Sequence, residues 1–222
     1  MDERPLVWLA FYWLGYFVLH SVLACLPVKR AVAARWPAAM PAYRLMFNFV
    51  AVLLVIPPLL YVIRYPGPVL WQWEGVAWWL AQGLAVAAVA GFALTLRDYD
   101  GSEFLGVRQW RSGERRIEDQ ERFTLSVLHR FVRHPWYSLA LVLVWTRDMT
   151  AAWFVTSVAV TVYFVLGSRL EETRLEQYYG EAYRRYRQRV PGLVPLPGRW
   201  MASTSRLTPT RSRLARKTKT PR

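Results

Sequence analysis

Two short clusters hold most of the chemistry in this chain. Arg133-His134-Pro135-Trp136-Tyr137 supplies a guanidinium, an imidazole and two aromatic rings with polar tips, and Glu171-Glu172 supplies two carboxylates. The first cluster opens an uncharged stretch from Pro135 to Thr146, and the second follows another from Met149 to Ser168. If the two stretches form antiparallel helices, the clusters meet at one end of the hairpin. A cation and an anion at the same depth are what a small zwitterion requires of a binding site, because charge-assisted hydrogen bonds can then hold both of its ends.

The local chemistry supports that expectation. Proline fits the first turn of a helix, where its missing N–H is no loss, so Pro135 predicts a helix start. The positive end of that helix, with Arg133 and His134 beside it, suits a carboxylate or phosphate. Glu171 and Glu172 are expected at a helix C-terminus, where they oppose the dipole and each other. Arg133, Arg130 or Arg169 could compensate them in a purely structural network; a ligand ammonium or sulfonium could do so as well.

The elements that must position these groups are membrane spans. No Asp, Glu, Lys or Arg occurs between Arg4 and Lys29, between Arg44 and Arg64, or between Glu74 and Arg97. Each gap is roughly 20 residues, enough for a helix to cross about 30 Å of hydrocarbon. With the two hairpin stretches this predicts an all-α integral membrane protein of about five transmembrane helices, of which the Pro135–Thr146 arm is short unless residues 125–132 extend it. The hydrophobic fraction of 54% and twelve Trp fit lipid as the solvent. The first segment follows Asp2, Glu3 and Arg4 without a basic leader and reads as a retained helix. With the N-terminus outside and the C-terminus cytosolic, 26 of the 29 Lys and Arg residues fall on the inner side, leaving Arg4, Arg64 and Arg147 outside.

Beyond the glutamates, Leu175, Tyr178 or Tyr179, Tyr183, Tyr186 and Val190 recur at three- or four-residue steps among arginines, predicting an amphipathic interfacial helix ended near Pro191 and Pro195. Residues 1–198 read as one membrane-embedded domain. Residues 199–222 are basic and aperiodic, a disordered cytosolic tail in expectation, drawn to anionic membrane lipids rather than to nucleic acid. His20 with Ser21 in the first span and Asn48 in the second are intramembrane polar candidates. The loop Asp98 to Gln109 mixes turn formers with apolar residues and predicts an ordered connector dipping toward the membrane. The lone Cys25 excludes an internal disulfide. No Cys/His spacing suggests a metal, and neither a phosphate-binding glycine loop nor a covalent-nucleophile constellation is visible.

The stretch RFVRHPWY (130–137), followed by EETRLEQYYGEAYRRYRQRVPGLVP (171–195), resembles the isoprenylcysteine carboxyl methyltransferase superfamily, which includes phospholipid N-methyltransferases, bacterial thiol methyltransferases and NnrU-like proteins. LHS (19–21) and FLGVRQ (104–109) are similar to the thiol-methyltransferase and NnrU-like branches. The resemblance implies S-adenosylmethionine bound at the cytosolic ends of the last helices. Arg133, His134, Pro135 and Tyr137 would contact it, Glu171 and Glu172 would complete the site, and Tyr183, Tyr186 and Arg187 would cover it. The chain departs from the pattern in having Val127-Leu128-His129 in place of Gly-Pro-Tyr or Gly-Leu-Tyr, and Leu139 in place of a glycine.

The expected chemistry is in-line methyl transfer to a lipophilic or small thiol, carboxylate or amine acceptor, which demands mainly positioning. Glu171 or His134 would take an acceptor proton, and Arg108, Gln109 or Arg130 would face the acceptor. A non-catalytic NnrU-like scaffold or sensor with a degenerate pocket is the alternative. A solute transporter fits less well, since the charges gather at one interface rather than at mid-membrane.

Overall fold

The computed structural model describes residues 4–98, 100–115, 117 and 126–201. Tyr99, Leu125 and nearly all of the 199–222 tail lie outside the described residues. Four helices are long and apolar enough to cross a membrane: α1 (Arg4–Ala24), α3 (Met40–Arg64, entered through a 3-10 turn at Pro37–Ala39), α4 (Gly75–Leu96) and α8 (Ala151–Tyr179). A fifth, shorter apolar helix, α7 (Pro135–Trp145), completes the hairpin. Between α1 and α3 stands α2 (Leu26–Arg35), and between α4 and α7 stand α5 (Gly101–Leu105) and α6 (Val107–Ser112). The last helix is α9 (Glu181–Arg189).

Many apolar side chains point outward, with Ile63 77% and Val76 76% exposed. Such a surface is tolerable only in lipid. Inside, α1 packs on α3 and α8 around Leu9, Trp13, Val62 and Ala152. Trp13 Nε1 donates to Thr156 Oγ1 at 3.0 Å, satisfying a buried polar pair across two spans. Helix α4 packs on α7 through the small residue Gly91, over which Leu139 lies.

Helix α7 does not extend backward through residues 126–132, one of the two ways expected for the short arm to cross, the other being shelter by neighbouring helices. Val127–Arg130 instead form a separate 3-10 turn closed by a Ser126/His129 capping box. The cause is Pro135, which disfavours helical geometry at the residue before it and cannot sit in a helix interior. Eleven residues at 1.5 Å reach only about 17 Å. A tryptophan of α8 nevertheless reaches the arm's far end. Trp153 Nε1, in the first turn of α8, donates to Val144 O at 2.8 Å. Beyond it, Met149–Thr150 (β2) pairs antiparallel with Val69–Trp71 (β1), a two-stranded clasp the sequence did not announce.

Helix α8, at 29 residues, outruns the hydrocarbon thickness. Glu171 and Glu172 therefore do not end a helix: it continues to Tyr179, and the expected opposition to a C-terminal dipole does not arise. They stand about 30 Å from its start, the depth at which α7 begins.

Helix α9 is amphipathic as predicted, but its tyrosine face turns inward rather than onto lipid. Tyr183, Tyr186 and Val190 are buried against Leu175, Tyr179 and Met201. The turn before α9 is made by Gly180, whose φ of +55° is a conformation side-chain-bearing residues avoid.

Candidate functional site

The two clusters meet. Arg133 Nε and Nη2 each lie 2.8 Å from Glu172 Oε1, and His134 Nε2 lies 3.0 Å from the same oxygen. Arg187 Nε approaches the other oxygen of Glu172 at 3.4 Å. The His134 Nδ1 is 3.4 Å from Glu171 Oε2. Glu172 is thus a buried carboxylate ringed by three cationic groups, while Glu171, half-exposed, looks past them.

A carboxylate on each ring nitrogen fixes the state of His134. A neutral imidazole donates from one nitrogen only, so two acceptors select the imidazolium. Burial alone would lower its pKa, but the hydrogen bonds and charges of Glu171 and Glu172 outweigh that and hold it above the ordinary value. His129 behaves oppositely. Burial first, then the neighbouring His134, lowers its pKa to about 4 despite Glu171. Its Nδ1 accepts the Ser126 backbone N–H at 3.0 Å, as a neutral ring requires.

The segment after α9 straps the site. Arg133 Nη1 donates to the carbonyls of Arg187 and Val190, and the Arg133 and His134 amides donate to Pro191 and Gly192 carbonyls. Tyr186 Oη donates to His129 O at 2.8 Å. The guanidinium of Arg133 is therefore largely committed to holding Glu172 and the strap. Tyr183 packs beside Tyr186, and Tyr186 and Arg187 reach the turn before the cluster and Glu172 through protein contacts.

A cavity of about 440 Å³ opens beside the cluster. Arg133, His134, Pro135, Tyr137 and Glu171 border it on the hairpin side; His20, Lys29, Arg44 and Phe47 border it from α1, α2 and α3. Tyr137 is held upright between rings, stacked with His134 at 5.6 Å and Phe164 at 4.6 Å. Phe104 and Trp136 add apolar wall, with Trp136 Nε1 anchored on Thr95 Oγ1 at 2.9 Å.

The three residues expected on the acceptor side do other work. Arg108 pairs with Glu103 at 2.7 Å on the surface, Gln109 Nε2 donates to Glu103 O at 3.1 Å, and Arg130 Nε donates to Met201 O at 2.9 Å. None of them borders this cavity. Their long polar side chains are drawn to local carbonyls and carboxylates, which spacing along the chain does not reveal. Asn48 borders it but serves as a latch, donating to the carbonyls of Phe104 and Leu105. His129 and Lys29 were not anticipated. His129 falls where the family pattern differs, and Lys29 was visible only as a topology charge.

The departures from the family pattern fall at two places. Leu139 lies over Gly91 of α4, its Cδ2 2.9 Å from where a Cβ on Gly91 would stand, and does not border the cavity. His129 does border it.

No protein-family model matches the chain, and no solved structure matches it. Proteins with established names do. Methanethiol S-methyltransferase 2 of Bradyrhizobium diazoefficiens is 32% identical over 184 residues, spanning 81% of this chain and 69% of that protein. Methanethiol S-methyltransferase of Pseudomonas deceptionensis is 28% identical over 191 residues, with 81% and 69% covered. The Mycobacterium tuberculosis protein of that name is 29% identical over 199 residues, with 84% and 77% covered. Sequence likeness of this extent, running through both clusters and the helices that join them, makes the chain a member of the methanethiol S-methyltransferase family.

Proposed function

We propose that the chain is a membrane-embedded S-adenosylmethionine-dependent methyltransferase acting on a small thiol, with its site at the cytosolic face of a bacterial inner membrane. The observation that carries this reading is the cavity itself, which joins a carboxylate, a helix N-terminus and aromatic walls at one depth of the hairpin. Its volume lies within the range of small-molecule sites.

The donor set fits such a methyl donor. Glu171 offers a carboxylate to an ammonium or sulfonium. The N-terminal end of α7, at Pro135, borders the cavity and its positive dipole end suits a carboxylate. The planes of Phe104, Trp136 and Tyr137 suit a nucleobase. When bound, S-adenosylmethionine supplies an electrophilic methyl group. Arg133 acts through Glu172, and Glu172 with Glu171 holds His134 as imidazolium, so His134 orients Glu171 rather than serving as a base. The apolar walls exclude water from the reacting groups. The excess of Lys and Arg at this end supports the cytosolic placement.

Calorimetric titration of S-adenosylmethionine into the detergent-solubilised protein tests the reading. Saturable binding is expected for the wild type. A charge-assisted hydrogen bond is worth about 1.5–3 kcal/mol, so Glu171→Gln should weaken binding by about 10- to 100-fold. No binding by wild type, or equal binding by the variant, contradicts it.

A further inference from the structure

We infer that His20 is a second catalytic residue of this site, taking the proton of the thiol acceptor; this rests on the methyl-transfer reading above. His20 lies on α1, in a different part of the chain from both clusters, yet it borders the same cavity as Glu171 and Tyr137. Its Nδ1 stands 2.7 Å from Tyr163 Oη on α8, and Tyr163 Oη stands 3.3 Å from Ser21 Oγ. These contacts allow two arrangements; in the proposed one Nδ1–H donates to Tyr163 and the Tyr163 hydroxyl donates to Ser21. It leaves the lone pair on Nε2, the tautomer a proton acceptor needs.

The surroundings suit a small methylthio group. Phe47 and Tyr16 flank the His20 ring at 5.0 and 5.7 Å, and Tyr163 is itself fixed by stacking on Phe17 at 4.1 Å. The titratable neighbours facing His20 are Tyr16 and Tyr163, and the charged groups Lys29, Arg44, Arg133, His134 and Glu171 share the cavity. Lys29 and Arg44, bordering the cavity from α2 and α3, favour the anionic form of an acceptor, as cations do for reactive thiols generally.

The step balances simply. The S–H bond breaks with its electron pair left on sulfur, and the proton goes to Nε2. The thiolate then forms the S–CH3 bond as the carbon–sulfur bond of the donor breaks, that pair returning to the donor sulfur. No oxidant or reductant is needed.

Infrared spectroscopy of methanethiol bound in the presence of the demethylated donor, S-adenosylhomocysteine, tests the assignment without turnover. Wild type should abolish the ligand's S–H stretching band, and His20→Gln should retain it. In turnover at neutral pH, His20→Gln should lose about 100-fold or more in kcat for methanethiol, the scale of a positioned base, with S-adenosylmethionine binding unchanged. It should recover with methaneselenol, which is already anionic. Tyr163→Phe, which keeps the stacked ring, should show a smaller loss of the same kind. Persistence of the S–H band in wild type, an unaltered rate in His20→Gln, or an equal loss with the selenol overturns the assignment. If wild type transfers methyl to neither acceptor, methyl transfer fails while the infrared bands still decide what His20 does to the thiol.

Discussion

At the scale of residues, Glu172 carries the structure, and in the proposed reading Glu171 meets the ligand. Removing one partner of a buried ion pair leaves the others uncompensated, at about 3–5 kcal/mol. Glu172→Ala should therefore lower the apparent melting temperature sharply, because Arg133, His134 and Arg187 would face one another without an anion. Glu171→Ala, at a half-exposed position, should cost no more than about 1 kcal/mol. Thermal unfolding of both variants separates the two roles; equal losses would contradict the division. His134 adds a pH dependence. Its folded pKa lies above the ordinary 6.5, so its contribution to stability is complete below pH 6.5 and is lost as pH rises through the folded pKa. His134→Asn should flatten that alkaline decline in melting temperature. The meeting of these residues was legible in the sequence, because uncharged stretches fix where charges can emerge from lipid. The role of Arg133 was not, since its carbonyl partners sit in a strap whose path depends on tertiary packing.

At the scale of elements, the site is framed by pieces that are individually short. Helices α5 and α6 form one wall, started by Asp100, whose side chain accepts from the Ser102 and Glu103 amides. Gly106 joins them with φ of +89°, and a Cβ there would stand 2.6 Å from the Leu45 backbone N. Alanine has neither the conformation nor the room, so Gly106→Ala should cost about 1–3 kcal/mol or more and displace Phe104 from the cavity wall. Limited proteolysis of the connector should detect it, and wild-type protection in the variant would contradict the framing. The connector, the amphipathic helix and the helix start at Pro135 follow from turn chemistry and periodicity. The inward turn of α9 does not, because a tyrosine stripe fits lipid headgroups and a protein groove equally well. Nor does the β1–β2 clasp, whose two strands are too short to leave a periodic signal.

At the scale of the whole molecule, the helices serve to bring distant parts of the chain to one cavity at one depth. Hydrophobic gaps and basic asymmetry reveal the spans, but not which faces touch. His20 and Glu171, 151 positions apart, border the same space only because α1 packs on α8. Methyl transfer by this assembly is measured most directly with purified protein, methanethiol and S-adenosylmethionine carrying an isotopically labelled methyl group. Labelled dimethyl sulfide in the headspace, lost in Glu171→Gln, is the predicted result. Absence of labelled product from folded wild-type protein that binds the donor would contradict it.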